Sequence, residues 1–268
     1  MVVQMLLVLA MAVPSGEGMP FHVDQPFVQD FSEQIPLGPE VRDARLSKVR
    51  MDRNGRILVL SDKGLLQVHA GQLFPSRQDR PLADMRIEDV AIHDGQFVYL
   101  TDKCVLSNAS AGRILVSRET PEARILLADG SPGRADPKSP PCVDVRCSRQ
   151  IGDTSWFGTF RGACVQHPNG RVDCYTSKRW LLDDDVVDIW SGADGSVLLL
   201  SQRGLNIIRF QKTTLAQKAE HFDRLTRQRH IRFGFNSAFE MSTPGDLSTG
   251  TLIDQDNDGL WTAMYLAG

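Results

Sequence analysis

The stretch GRILVLSDKGL, Gly55 to Leu65, decides how the rest of the chain is interpreted. Four apolar residues are followed by a hydroxyl, an acid, a base and a glycine, which is typical of a buried strand that ends in a tight turn. The same frame returns as GQFVYLTDKCV at 95–105 and as GSVLLLSQRGL at 195–205, with a shorter copy, WFGTFRGA, at 156–163. The chain therefore contains internal repeats.

The spacing of these repeats indicates a fold. Equivalent turn positions fall at 64, 104, 162 and 204, which are 40, 58 and 42 residues apart. A period near forty, with short β-rich runs in each unit, is typical of β-propeller blades; a β-sandwich with chance similarity is the alternative. The long interval contains an insertion, predicted over 119–149 and rich in Pro and Gly. We expect residues 46–210 to form radial antiparallel blades, with Gly64, Gly162 and Gly204 at equivalent turns.

The later repeats resemble a known family. WFGTFRG at 156–162, YTSKRWLLDDDVVDI at 175–189 and DGSVLLLSQRGL at 194–205 are similar to the repeat of two-component-regulator propellers. Two departures are visible: Trp180 stands where that repeat has glycine, and Cys104 replaces the turn glycine of the second repeat. Four recognisable repeats are also fewer than the family usually has. The resemblance implies an extracytoplasmic protein that senses or binds carbohydrate.

Four residues near the third repeat are candidate ligand contacts: Arg161, Lys178, Arg179 and Trp180. They fall in loops that line one face of a propeller. An aromatic ring beside hydrogen-bonding cations suits a sugar or carboxylate ligand, and an ordinary surface patch is the alternative. The neighbouring acidic run, 183–185, is better explained as part of a turn.

After residue 210 the periodicity changes from strand to helix. Thr214 and Gln217 form a capping-box pattern, and apolar residues follow at helical spacing through His230. The tail up to DNDGLWTAMYLAG resembles the joint that leads into an α/α-toroid domain in secreted propeller proteins. That resemblance implies a domain division of 19–210 for the propeller and 211–268 for a helical joint and the start of a truncated α-rich domain.

The stretch DQDNDG, 254–259, has the alternating aspartates of a calcium loop. Asp254, Asp256 and Asp258 match the first three ligand positions of an EF-hand, but Tyr265 stands where the bidentate glutamate is required. Weak calcium binding, an acidic turn capping the following helix, and contact with sugar remain open. We expect no strong calcium site, and we expect loose packing of the helix that follows, with Trp261 partly buried at best.

The N-terminal residues 1–18 indicate a signal peptide. The apolar run from Val2 to Val13 is too short to span a bilayer, and it precedes small and turn-forming residues. No Lys or Arg precedes the run, so a buried strand, or a true start at Met19, is the alternative. We expect the protein to be exported.

Cysteine placement predicts one cross-strand pair. Cys164 and Cys174 flank the turn HPNG, and a three-residue loop there makes His167 face Arg171. Counting back places the two cysteines opposite each other, where a disulfide fits; two neighbouring buried thiols are the alternative. No CxxC pair exists, which disfavours zinc.

The charge and the motif content of the chain limit the classes of function to be considered. A net charge of −3 with mixed signs disfavours nucleic acid, and the chain has none of the common catalytic motifs. We expect a mainly β protein, an extracytoplasmic propeller that recognises a carbohydrate-like ligand or partner. The alternatives are the N-terminal part of a glycan-processing enzyme whose catalytic domain lies elsewhere, and a protein-interaction scaffold. Whether the chain is an enzyme is left open at this stage.

Overall fold

The computed structural model describes residues 24–76, 86–109, 112–117, 142–243 and 246–267. The chain divides into two compact units, one of residues 29–211 and one that combines 1–28 with 212–268. The predicted leader, and the predicted insertion up to 141, lie outside the described residues.

The larger unit consists of four-stranded antiparallel sheets, four of them in the described part of the chain. The N-terminal strand β1 is Phe27–Pro36, and a short 3-10 helix, Pro39–Val41, follows it. Blade 1 contains β2 (Leu46–Met51), β3 (Ile57–Ser61), β4 (Gly64–His69) and β5 (Gln72–Pro75). Blade 2 contains β6 (Ile87–His93), β7 (Gln96–Thr101), β8 (Val105–Ala109) and β9 (Gly112–Val116). Blade 3 contains β10 (Cys147–Ile151), β11 (Thr154–Thr159), β12 (Gly162–Gln166) and β13 (Val172–Tyr175). Blade 4 contains β14 (Val186–Ser191), β15 (Val197–Ser201), β16 (Gly204–Thr213) and, outermost, β1.

The apolar runs of the repeats are the second strands of the blades, and each is buried on both faces. In β3, Val59 packs in a cluster shared with blade 4, while its neighbours Leu58 and Leu60 pack in a cluster shared with blade 2. Successive side chains of a strand point to opposite faces, so a strand between two blades needs apolar residues at every position. The propeller prediction is confirmed, and the equivalent turn glycines begin the third strands β4, β12 and β16.

The first strand of each blade is the innermost. The pairs β10 with β14, β14 with β2, and β2 with β6 are in contact. In three blades this strand has a register shift at its start, after Leu46, Ile87 and Val186. The shift places a charged residue at the same point of each strand, and two of these residues, Lys48 and Asp89, form an ion pair at 2.5 Å.

Two features of the blades differ from the sequence prediction. Blade 4 is completed by β1, which pairs with β16 and joins the two ends of the propeller chain in one sheet. The predicted insertion also ends earlier than residue 149, because Cys147 to Arg149 already belong to β10 and pair with β11. This short polar strand lacks the apolar run that marks its equivalents.

The smaller unit contains short elements with little burial. Helix α1 (Leu215–Arg229) begins at a complete capping box of Thr214 and Gln217, which confirms that prediction. Two two-stranded sheets follow, β17 (Ile231–Arg232) with β18 (Phe235–Asn236) and β19 (Ala238–Met241) with β20 (Gly250–Ile253). A 3-10 helix, Leu247–Thr249, precedes β20, and helix α2 is Asp258–Ala267.

The apolar side chains of helix α2 are largely exposed. Trp261 is 45% exposed and Leu266 is 78% exposed, and no residue of either helix is buried. The expectation of loose packing at this end is confirmed. None of the helices in the described ranges is long and apolar enough to cross a membrane.

Candidate ligand-binding face

Each blade has the same turn between its second and third strands, and a hydroxyl builds it. In every blade a Ser or Thr donates a hydrogen bond to the carbonyl three residues on: Ser61 to Gly64, Thr101 to Cys104, Thr159 to Gly162 and Ser201 to Gly204. The residue before the glycine or cysteine is a cation in all four blades: Lys63, Lys103, Arg161 and Arg203. The repeat therefore places one basic side chain per blade at the same end of the propeller, which we call the turn face.

The predicted contacts lie on two neighbouring loops of the turn face. Arg161 is in the turn between β11 and β12, and Lys178 to Trp180 are in the connection from β13 to β14. Asp184 joins the loops, because its carbonyl accepts from the Gly162 amide at 2.7 Å and its carboxylate accepts from the Ser177 amide at 2.7 Å. The fold therefore brings the two predicted loops together.

Trp180 differs from the other three because its indole ring packs inward. The ring meets Tyr175 edge to face at 5.2 Å and joins the cluster between blades 3 and 4. Its carbonyl accepts a hydrogen bond from Ser32 on β1 at 2.5 Å, and the guanidinium of Arg179 lies 5.0 Å from the ring centre. Trp180 therefore anchors the loop, and its ring contacts the guanidinium of Arg179.

The three basic candidates have no carboxylate partner among the described residues. Arg161, Lys178 and Arg179 are exposed, and none of them forms an ion pair in the structure described. The equivalent cations of two other blades do: Lys63 lies 4.0 Å from Asp43, and Arg203 lies 3.9 Å from Asp183. The turn face of blade 3 therefore carries three basic side chains that form no ion pair with a described residue.

Nearby carboxylates are occupied by other donors. One oxygen of Asp184 accepts from the Ser177 amide, and Asp185 pairs with Arg146. Asp184 keeps its negative charge, because an amide donor does not neutralise a carboxylate, but neither it nor Asp185 forms an ion pair with the three basic side chains in the described part of the chain. An external anion is the partner that the charge pattern suits.

The start of helix α2 falls within DQDNDG, so two of the three aspartates precede the helix and the third belongs to it. Asp254 and Asp256 are exposed in the turn before the helix, and Asp258 is its first residue. The Asp258 carboxylate accepts from the Gln255 amide at 3.2 Å, so it closes the turn. No cluster of three metal-ligating side chains occurs among the described residues. The absence of a strong calcium site stays a prediction.

A second polar cluster, missed by the sequence analysis, lies among the inner strands. Trp190 is covered on two sides by guanidinium groups, with Arg50 at 4.3 Å and Arg149 at 4.1 Å from the ring centre. Asp188 accepts from Arg50 at 2.7 Å and from the Val49 amide at 2.9 Å. The signal in the sequence is that charged residues, Arg50, Arg149 and Asp188, lie within the first strands of three blades.

This inner cluster borders a depression of about 480 Å³ at the opposite end of the propeller from the turn face. Its lining includes Asp52, Arg53, Asp94 and Trp190. Asp52 already accepts from the amides of Asn54 and Arg56 within its own turn, and two guanidinium groups cover the indole. These contacts stabilise the inner strands, and Trp190 is only 6% exposed, so little of its ring is accessible to a ligand.

The cysteine register is confirmed. His167 donates its amide to the Arg171 carbonyl at 2.9 Å, and Gly170 has a φ of +83°, as a three-residue turn requires. Cys164 faces Cys174 across β12 and β13, with the sulfurs 3.1 Å apart. Both are free thiols in this structure, so the disulfide stays a prediction.

The fold and its repeats define the chain as a β-propeller of four blades in its described part. No protein-family model matches the chain, and no curated protein matches it. Similar solved structures include two extracellular domains of hybrid two-component systems from B. thetaiotaomicron. One is 19% identical over 66% of this chain and 21% of that chain, with a TM-score of 0.24. The other is 12% identical over 79% of this chain and 26% of that chain, with a TM-score of 0.24.

Virginiamycin B lyase from Staphylococcus aureus is also similar, at 10% identity over 73% of this chain and 62% of that chain, with a TM-score of 0.22. This chain therefore spans a small part of the two-component domains and under two thirds of the lyase. At scores this low the likeness carries no argument about ligand or activity. The propeller assignment rests on the sheets themselves.

Proposed function

We propose that this propeller is an exported recognition module that binds an acidic, carbohydrate-like ligand on the turn face of blade 3. The observation that carries the proposal is the set of three exposed cations, Arg161, Lys178 and Arg179, none of which has a carboxylate partner in the described structure. A sugar acid supplies both the carboxylate and the hydroxyl groups that such donors recognise.

The proposed contacts differ in geometry. Arg161 and Arg179 offer planar guanidinium groups that bind a carboxylate through two parallel hydrogen bonds, whereas Lys178 acts as a point charge. Each charge-assisted hydrogen bond contributes about 1.5–3 kcal/mol. Stacking on Trp180 and the bonds to Asp184 hold the two loops, which lowers the entropy lost on binding.

Export is part of this proposal and has its own support. The apolar run at 2–13 fits a signal peptide, and Cys164 and Cys174 are aligned for a disulfide that an oxidising compartment would form. The net charge of the turn face, rather than that of the whole chain, governs the choice of ligand.

Calorimetric titration of the purified chain with oligogalacturonate tests the ligand class, with neutral galacto-oligosaccharide of the same length as the reference. We expect binding of the acidic oligomer alone, and weakening as salt is added because the contacts are exposed. Equal binding of both oligomers, or binding of neither, would refute an acidic-sugar ligand.

Matched variants locate the site. Arg161→Gln should weaken binding at least about tenfold, equivalent to roughly 1.4 kcal/mol. Arg203→Gln is the control, since it removes the equivalent cation of blade 4, which already has Asp183 nearby. We expect less than about a threefold change for the control. An equal loss in both variants would place the ligand elsewhere.

A further inference from the structure

The closing strand β1 contacts the loop that carries two of the proposed ligand contacts. The Ser32 hydroxyl donates to the Trp180 carbonyl at 2.5 Å, and the Gln34 side-chain amide donates to the Lys178 carbonyl at 2.8 Å. These two carbonyls flank Arg179 in the chain. The main chain is therefore held by β1 on both sides of this arginine.

The alternation of side chains along β1 allows the strand to hold the loop and also close the propeller. Successive side chains of a strand point to opposite faces, so Ser32 and Gln34 share one face. The other face carries Ile35, in the cluster between blades 1 and 4, and Glu33, whose carboxylate accepts from Arg209 at 2.9 Å. One face of β1 therefore contributes to the core, and the other faces the loop.

A third contact holds the start of the loop. The Tyr175 hydroxyl donates to the Asp30 carboxylate at 2.8 Å, and Asp30 lies on the same face of β1 as the two donors above. Burial and this hydrogen bond raise the pKa of Tyr175, so the hydroxyl keeps its proton and remains a donor. The Tyr175 ring meets that of Trp180 at 5.2 Å, and the Arg179 guanidinium lies over the Trp180 ring. The contact therefore also holds the ring on which this guanidinium rests.

We propose that β1 positions the ligand-binding loop, with Ser32 and Gln34 as positioning residues that set the place of the Arg179 guanidinium. The inference rests on the proposed function, because these residues act on the same site. Both acceptors are main-chain carbonyls, so the hydrogen bonds do not depend on the side chains that the loop carries. A loop that is ordered before the ligand arrives loses less entropy on binding, which raises affinity without a new contact.

The turn that carries Arg161 is held by local bonds instead. The Thr159 hydroxyl accepts from the Arg161 amide at 3.0 Å and donates to the Gly162 carbonyl at 3.0 Å. Loss of the bonds from β1 should therefore loosen the loop of Lys178 and Arg179 and leave this turn unchanged.

Hydrogen exchange followed by mass spectrometry tests the hold of β1 on the full chain without any ligand. Ser32→Ala and Gln34→Leu should each make exchange of the loop amides at 177–181 about fivefold faster, because local opening then breaks one hydrogen bond fewer. Ser32→Thr keeps the hydroxyl and should restore the wild-type rate. Exchange of the core strand β15 and of the turn at 160–162 should stay unchanged, which separates local release from general destabilisation.

Glu33→Gln is the matched control. Glu33 lies between the two donors in the chain, but its carboxylate accepts from Arg209 within the same sheet. This variant removes an ion pair of β1 without removing a bond to the loop, so exchange at 177–181 should stay at the wild-type rate.

Calorimetric titration with oligogalacturonate measures the effect on the site. Ser32→Ala and Gln34→Leu should each raise the Kd about fivefold, as expected for the loss of one hydrogen bond. Ser32→Thr and Glu33→Gln should leave the Kd unchanged. Recovery in Ser32→Thr ties the effect to the hydroxyl rather than to any change at this position.

Two results would overturn the positioning role. One is loop exchange in Ser32→Ala and Gln34→Leu that matches that of Glu33→Gln. The other is faster loop exchange with an unchanged Kd for oligogalacturonate. Failure of the wild-type protein to bind oligogalacturonate would instead overturn the proposed ligand, and the exchange comparison would then decide by itself whether β1 holds the loop.

Discussion

At the scale of single residues, the hydroxyl and the glycine of each repeat have specific roles in the turn between the second and third strands. The hydroxyl bridges the turn, and glycine follows where the backbone enters a positive φ. Gly204 has a second constraint, because an added Cβ would lie 2.4 Å from the Ile35 carbonyl oxygen on the closing strand. Gly64 has a positive φ but open space around it.

These two glycines give a paired prediction. Gly204→Ala should lower the free energy of unfolding by about 3 kcal/mol, since backbone strain and a clash with β1 add together. Gly64→Ala introduces backbone strain without a clash and should lower the free energy of unfolding by about 1 kcal/mol. Urea unfolding followed by Trp fluorescence measures both. Equal losses would mean that the approach of β1 to Gly204 does not constrain the turn.

Residue patterns predicted this turn well because its bonds are local. The hydroxyl, the cation and the glycine lie within four positions, and the hydrogen bonds connect residues three apart. Cys104 fits the same turn without glycine, because its backbone does not take a positive φ. Trp180 was harder to interpret, since a tryptophan in a loop gives no sign of whether its ring packs on Tyr175 or faces solvent.

At the scale of elements, the inner strand β2 holds two ion pairs of very different burial. Lys48 pairs with Asp89, and both side chains are about one third exposed. Arg50 is only 4% exposed and pairs with Asp188, while its guanidinium also covers the face of Trp190. A charge removed from water depends on its partner far more than one at the surface.

We therefore expect the loss of each ion pair on β2 to lower the free energy of unfolding by a different amount. Asp188→Ala removes the carboxylate that pairs with the buried Arg50 guanidinium, which keeps its hydrogen bond to the Val49 carbonyl. The change also leaves the Val49 amide without the acceptor described above, so we expect a loss of roughly 3–5 kcal/mol in the free energy of unfolding. Lys48→Gln removes a partly exposed pair and should cost less than about 1 kcal/mol. Chemical denaturation of both variants provides the comparison. A loss below about 1 kcal/mol for Asp188→Ala would show that the buried pair is dispensable.

At the scale of the whole molecule, β1 is the strand that joins the ends of the propeller. It pairs with β16, so residues from both ends of the unit share one sheet. Ile35 of β1 is 2% exposed and packs in the cluster between blades 1 and 4, whereas Val28 of the same strand is 57% exposed. Closure should therefore stabilise all four blades together.

This closure gives the last prediction. Ile35→Ala should destabilise the propeller by about 2–5 kcal/mol through the cavity it leaves, and Val28→Ala by less than about 0.5 kcal/mol. Thermal unfolding should remain a single transition in both, because the cluster around Ile35 spans two blades. A separate early transition in Ile35→Ala would mean that blade 4 opens independently of the others.

The amino-acid sequence by itself determined the repeats, their turns and the helix start at Thr214, since each depends on residues close together in the chain. Tertiary structure alone decided the pairing of β1 with β16 and the placement of Arg50 and Arg149 on the ring of Trp190. The physical reason is distance along the chain. β1 pairs with a strand more than 150 residues away, as judged from its bounds and those of β16, and local propensity contains no information on such a partner. The basic residues on the turn face of blade 3 could be found from the sequence alone. Their lack of ion-pair partners among the described residues could not, because it depends on where the fold places each aspartate.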